Sequence, residues 1–326
     1  MSPSWQAELA ASFNDPLELL TFLDLDPNRF PGLLGASREF PFRVTRAYAD
    51  RIVKSNPDDP LLRQVLPRAE ELAPQPGFAA DPVGDMLSVT GPGILHKYLG
   101  RVLLITTGAC AIHCRYCFRR SFPYDAYLLG RSREDEALGI IAADTSVREV
   151  ILSGGDPLVL SDGRLARLIA AIGEIPHVRR LRIHTRLPIV LPSRITPDLV
   201  GVLADSRLRT AVVIHANHAA EFDASVHGAL DRLRSAGLVL LNQSVLLRGI
   251  NDDPGTLADL SETLFENGVL PYYLHLLDRA QGTAHFDVPA EHGRHLIEAM
   301  RKLLPGYLVP RLVREDAGGA FKTPLG

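Results

Sequence analysis

Three cysteines occur in the 326-residue chain, and all three fall in the segment CAIHCRYC. Cys110, Cys114 and Cys117 stand at C-x-x-x-C-x-x-C spacing. Thiols crowded in this way are no disulfide framework, which spreads its half-cystines along a chain. They read as ligands, and two kinds of centre suit them. A structural zinc site takes four ligands, and His113 inside the segment offers the fourth. An iron-sulfur cubane takes one thiolate per iron, so three cysteines hold three irons and leave one open to a ligand that is not protein. An open iron is a chemical site, whereas a closed zinc is not.

Such residues need elements to hold them. From residue 101 onward, β-branched or leucine-rich runs alternate with helical patterns, at residues 101–107, 149–153, 180–185, 211–217, 239–247 and 270–277. Their starts are 48, 31, 31, 28 and 31 residues apart. About 30 residues is the length of a strand, a helix and two connections, so the near-equal steps predict consecutive parallel βα units. The longer first step carries the cysteine segment. Thr196 before Pro197 and Asp253 before Pro254 read as helix starts, and Gly237, Gly268 and Gly306 as stops. Six units are fewer than the eight of a closed barrel. The predicted class is therefore α/β, a partial (β/α)6 barrel over residues 96–305, with a doubly wound sheet as the competitor. Residues 1–95, rich in Pro, Asp and short helical patterns, form a helical N-terminal extension, and residues 306–326 a C-terminal segment.

In a parallel barrel the ligand face lies at the strand C-termini. Every predicted strand leads into polar residues there: Thr106 and Thr107; Ser153 to Asp156; His184, Thr185 and Arg186; His215, Asn217 and His218; Asn242 and Gln243; His275 and Asp278. One alone is ordinarily a structural hydrogen-bonding residue. Six sets together predict a site.

Composition excludes several classes of function. With 35 basic and 38 acidic side chains the net charge is -3, which leaves no nucleic-acid footprint. Hydrophobic residues at 46% and charged residues at 22% describe a globular chain. Two of the longest uncharged runs, residues 102–112 and 236–247, fall short of the ~20 apolar residues of a membrane span. The N-terminus has no basic region ahead of an apolar stretch, so a cytoplasmic address is expected.

The cysteine spacing resembles that of the radical S-adenosylmethionine superfamily, whose members hold the cofactor's amino and carboxylate groups on the unique iron. Gly154-Gly155-Asp156 matches the superfamily's position where backbone groups receive the methionine amino group, although paired glycines also serve a tight turn. The segments CRYCFRR, ILSGGDPL, RIHTRLPIVLPSRI, LLNQSVLLRGIND, PYYLHLLDRAQGTAHF and KTPLG narrow the resemblance to the lysine 2,3-aminomutase family, over roughly residues 45–326. It implies three cofactors: a [4Fe-4S] cluster on Cys110, Cys114 and Cys117, S-adenosylmethionine contacted by Gly154, Gly155, Asp156 and Gln243, and pyridoxal phosphate.

Pyridoxal phosphate needs a lysine for its resting Schiff base. The chain has four: Lys54, Lys97, Lys302 and Lys322. Lys322 follows the Gly-rich segment 316–319 and precedes Thr323-Pro324, as the family's lysine does. Lys97 and Arg101 align with two phosphate-binding positions, and Arg119 with the position that binds the substrate carboxylate. A substrate ammonium requires carboxylates, because an unpaired buried charge is costly. Asp278 matches one family aspartate; the other lies seven residues before the Schiff-base lysine, where this chain has Glu315 beside Asp316 and the catabolic enzymes have aspartate.

The implied reaction is an isomerisation of (S)-α-lysine to (R)-β-lysine, in which an external reductant supplies the cluster's electron. Glu315, a chain that stops at Gly326, and the segments NPDDPLLRQVL, FRRSFPY, PYYLHLLD and VREDAGG resemble the branch that supplies (R)-β-lysine for modifying elongation factor P. That branch links the chain to the factor and its β-lysine ligase. A free-standing lysine 2,3-aminomutase of catabolism or osmolyte synthesis is the alternative among enzymes. A non-catalytic metal-binding or partner-recruitment protein, marked by a Cys3His zinc, is the alternative of another class.

Overall fold

The computed structural model describes residues 4–326. Ten strands form one sheet in sequence order. β1 (Val89–Gly91), β2 (Ile94–Tyr98) and β3 (Arg101–Thr107) run antiparallel to one another. From β3 the sheet continues in parallel through β4 (Glu149–Gly154), β5 (Arg180–Thr185), β6 (Arg209–Ile214), β7 (Val239–Val245), β8 (Leu270–His275) and β9 (Arg311–Arg314). β10 (Thr323–Pro324) turns back antiparallel on β9. Among the described residues β1 and β10 pair on one side each, so the barrel is open, as expected. The strand order never reverses, which excludes the doubly wound alternative.

Local sequence explains most of these elements. All six residues of β4, EVILSG, are buried, as in a parallel strand covered on both faces. The crossover helix Asp162–Gly173 buries Leu165, Leu168, Ile169 and Ile172, an i, i+3, i+4, i+7 stripe that joins the core of Val150, Leu152, Leu181 and Ile183. Thr196 caps the helix Pro197–Ala204 by accepting from the Leu199 amide, and Asp253 caps Pro254–Glu266 by accepting from Thr256. Gly237 and Gly268 end helices as expected, with φ of 78° and 69°. Gly306 instead opens the short 3-10 turn Gly306–Leu308.

Two regions depart from expectation. β1 and the start of β2 lie before residue 96, in the segment read as helical. They form a hairpin around Pro92-Gly93, and strands this short carry too little alternation to be recognised. β9 is equally short: RLVR buries Leu312 and Val313 between exposed arginines, and it becomes a strand by pairing Leu312 with Leu274 of β8.

The N-terminal region is otherwise a series of short helices, including Pro16–Phe22, Leu33–Glu39 and Pro60–Arg63. Leu19, Leu20, Leu61, Leu62 and Leu66 are buried in the same apolar core as the barrel strands. Buried polar contacts reinforce this seam: Thr45 donates its hydroxyl to the Val190 carbonyl, and the fully buried Arg115 side chain lies 2.6 Å from Glu71. The extension thereby reaches the cysteine loop. Among the described residues no helix is long and apolar enough to cross a membrane.

Candidate active site

The cysteines occupy the irregular loop after β3, and backbone contacts fix its shape. His113 N donates to Arg43 O at 2.9 Å and Arg115 N to Gln64 O at 2.9 Å, both across to the N-terminal region. Arg43 Nη1 donates to the Cys110 carbonyl at 3.3 Å. From the other side the end of β4 closes in: Gly155 N donates to Thr107 O at 2.7 Å and Asp156 N to Ala109 O at 2.8 Å. Only glycine fits here. A Cβ on Gly155 would lie 2.3 Å from Ala109 O, and Gly154 has φ of 123° with its Cβ direction 2.4 Å from Thr107 O. The glycine pair is thus a close approach of two backbones.

Asp156 serves the same purpose with its side chain. Its carboxylate accepts from the Thr185 hydroxyl at 2.7 Å, Arg186 N at 2.7 Å and Leu158 N at 3.0 Å, which ties the ends of β4 and β5 together. Burial pushes this carboxyl up to about 6 against those donors.

The loop opens on a cavity of about 520 Å³ lined by all three cysteines, Gly154, Gly155, Asp156, Gln243, Lys97, Arg101, Arg119, Asp278, Glu315 and Lys322. Every candidate residue from the sequence is therefore brought to one space. Not every polar strand-end residue is. Asn242 is turned onto the Ala216 backbone, His218 caps a short 3-10 turn, and Asn217 is buried behind the cavity wall. Of the lysines, Lys54 pairs with Asp24 at the surface and Lys302 is exposed on its helix.

Along another part of the cavity lining, charges alternate. The Arg119 guanidinium holds Asp85 at 2.6 Å, Asp85 holds Lys97 Nζ at 2.6 Å, Lys97 holds Glu315 Oε1 at 2.8 Å, and Glu315 Oε2 receives Lys322 Nζ. Burial alone would raise both carboxyls, but Lys322 and Lys97 outweigh it at Glu315, and Arg119 and Lys97 at Asp85, so each is held below the usual carboxylate range. Asp278 faces this network without an ion-pair partner among the described residues. Burial, with Glu315 adding repulsion, pushes its carboxyl up to about 7.

Asp85 was not anticipated. It lies in a stretch with no chemical motif, and its role comes from contacts 12 and 34 positions away in the chain.

The donor set fits the implied groups. Arg101 lines the cavity, stacks 4.7 Å over the Tyr98 ring and has no ion-pair partner among the described residues, which suits an anionic ligand such as phosphate. His184 Nε2 and Arg186 Nε are buried, line the same space and lack hydrogen-bond partners there. Among the described residues no three His, Cys, Asp or Glu side chains are grouped to hold a single metal ion. His113 directs Nδ1 to the Pro41 carbonyl at 3.0 Å and packs against Phe40. A mononuclear Cys3His centre is not preformed, whereas thiols set apart around a cavity suit a larger cluster.

Residues 104–260 match the model of the Radical SAM superfamily. The chain is 48% identical over 322 residues to an L-lysine 2,3-aminomutase of Escherichia coli (strain K12), covering 98% of this chain and 94% of that one. It is 45% identical to an L-lysine 2,3-aminomutase of Haemophilus influenzae, over 98% and 95% of the two chains. A Clostridium subterminale enzyme of the same name is 36% identical, over 98% of this chain and 77% of that one.

Proposed function

Because the chain belongs to the lysine 2,3-aminomutase family of the radical S-adenosylmethionine superfamily, we propose that it isomerises (S)-α-lysine to (R)-β-lysine. Its cofactors are a [4Fe-4S] cluster, S-adenosylmethionine and pyridoxal phosphate. The observation that carries the reading is convergence: the three thiols, the Lys322 amine, the Arg119 guanidinium and the Asp278 and Glu315 carboxylates line one cavity.

When bound, the cluster and S-adenosylmethionine would supply a hydrogen-abstracting radical, and pyridoxal phosphate a carbonyl group able to carry the migrating nitrogen. The chain's own residues bind, orient and insulate. Cys110, Cys114 and Cys117 hold the cluster, and Gly154, Gly155, Asp156 and Gln243 frame S-adenosylmethionine. Lys322 presents its amine to the pyridoxal aldehyde, while Lys97 and Arg101 take the phosphate. Arg119 has its Nε committed to Asp85 and its Nη1 donating to Ser153 Oγ at 3.3 Å, which leaves Nη2 for a substrate carboxylate. Leu95, Ile151, Leu277 and Val313 give the cavity apolar walls that exclude water.

The resting ion pairs suggest how lysine is selected. If Lys97 and Lys322 hold pyridoxal phosphate, Glu315 would give up both of its cations. A buried carboxylate left alone is costly, and the substrate ammonium restores its partner while also meeting Asp278. A neutral side chain would leave both acids unpaired.

We assign the product to the modification of elongation factor P. Support comes from Glu315 in the acidic position and from the branch-like segments around residues 56–66 and 313–319. The test has two parts. Protein reconstituted anaerobically with iron, sulfide and pyridoxal phosphate should convert lysine to β-lysine under a low-potential reductant; a fully loaded protein that leaves lysine unchanged would overturn the activity. Elongation factor P from a deletion strain should lack its β-lysyl group, and fully modified factor would return the product to a free-standing pathway.

A further inference from the structure

Behind the cysteine loop lies a buried polar cluster that the proposed reaction does not use. Arg186, the residue after β5, has its backbone N–H fixed by Asp156 at 2.7 Å. Its guanidinium spans two environments. Nη1 lies 2.6 Å from Cys114 Sγ, while Nη2 donates to Gln64 Oε1 at 2.8 Å and Glu221 Oε2 at 2.9 Å. Glu221 is itself immobilised, accepting from Asn217 N at 2.8 Å and from Gln64 Nε2 at 3.2 Å. The arginine and glutamate side chains are 7% and 0% exposed, so neither charge is screened by bulk water. Arg186 Nε, also buried, has no hydrogen-bond partner among the described residues and lines the cavity with the cysteines.

We propose that Arg186 is a positioning residue that sets the reduction potential of the cluster by donating an N–H to the Cys114 sulfur, with Glu221 moderating its charge from behind. The proposal rests on the reading that Cys110, Cys114 and Cys117 hold a [4Fe-4S] cluster. The physical reason is direct. Reduction adds one electron from an external donor, taking the cluster from the 2+ to the 1+ core. A cationic donor on a ligating thiolate stabilises the more negative product, and hydrogen bonds to the sulfurs are an established lever on such potentials. Glu221 opposes the effect, because its carboxylate cancels part of the arginine's field. The two groups together can hold the couple low enough to reduce a sulfonium and high enough to be reduced itself.

The pair makes a test with two signs. Full-length protein reconstituted anaerobically would be titrated with dithionite and mediators, without S-adenosylmethionine, following the electron paramagnetic resonance signal of the reduced cluster. Arg186→Gln should shift the one-electron equilibrium at least about tenfold toward the oxidised form, which is about 59 mV more negative. Arg186→Lys, which keeps the charge and loses the fork, should shift it less. Glu221→Gln should shift it the other way, since a partner of the cation has been neutralised. Opposite signs are not expected of a merely structural pair.

Arg186→Gln protein with full iron and sulfide and an unchanged midpoint would overturn the proposal, as would a negative shift in Glu221→Gln. Should Arg186→Gln fail to assemble, unchanged midpoints in both Arg186→Lys and Glu221→Gln would overturn it equally. Failure of the underlying cluster reading looks different: Cys114→Ala would then retain the iron-sulfur absorbance of the unmodified chain.

Discussion

The two ends of the cavity are built on opposite principles. At the cysteine end, position is set largely by main chain: the loop is stitched to the residues after β4 by amide donors from Gly155 and Asp156, to the N-terminal region by the amides of His113 and Arg115, and the glycine pair admits an approach that no side chain would permit. At the lysine end, position is set by exchangeable charge. Lys97 comes from β2 and Glu315 from beyond β9, 218 residues apart, and what joins them is an ion pair that a ligand can replace. The difference matches what each end has to do. A cluster tolerates little variation in its ligands, whereas a site that takes a cofactor and then a cationic substrate must give up one set of partners for another.

That contrast can be broken most severely at the cysteines. Cys114→Ala should abolish both the broad iron-sulfur absorbance and the reductive cleavage of S-adenosylmethionine; retention of either by the variant would remove Cys114 from the ligand set. Next in size is Lys322. Borohydride reduction of the pyridoxal-loaded protein followed by peptide mapping should find the pyridoxyl label on Lys322, and Lys322→Ala should lose the label; a label on Lys54 or Lys302 would contradict the assignment.

Substitution of one exchangeable charge should cost less than loss of a ligand. Asp278→Asn is expected to weaken lysine binding by roughly 2 to 5 kcal/mol, the range for breaking a hydrogen-bonded buried charge pair, and less if water reaches the carboxylate. Binding isotherms for lysine measure this directly, and an unchanged affinity would exclude Asp278 from the ammonium site. The same residue predicts a pH dependence. With its carboxyl raised to about 7, Asp278 is protonated below that pH in the free protein, while the lysine ammonium is charged throughout. Binding must then expel a proton, so affinity should fall as pH drops below about 7, approaching tenfold per unit, and be flat just above it. Asp278→Asn should flatten the profile; a wild-type affinity independent of pH between 5 and 7 would show that another group carries the charge.

The smallest effect tests the main-chain half of the comparison. Gly155→Ala places a Cβ 2.3 Å from the Ala109 carbonyl oxygen, so the β4 end and the cysteine loop must part. Urea unfolding should register a loss of about 1 to 3 kcal/mol, as for other overpacked sites. Stability equal to the parent would mean that the two backbones are free to move apart.

Much of this molecule is legible in its sequence, for reasons of local chemistry. The cysteine spacing, the recurrence of strands at near 30 residues and the scarcity of lysine depend on residue type and short-range order, and β3, β5 and β8 begin where the pattern starts them. β1, β2 and β9 have no counterpart in the sequence pattern, because strands of three to five residues carry little periodicity and exist by virtue of their neighbours. Tertiary structure alone decided the partners of the charges. Asp85 meets Arg119, Lys97 meets Glu315, and Arg186 lies between Cys114 and Glu221, in each case across at least 34 positions of chain and up to 218. A single acidic residue has no signature that distinguishes a solvated surface carboxylate from a buried one, since its energy depends on which cation the fold brings to it and how much water it removes.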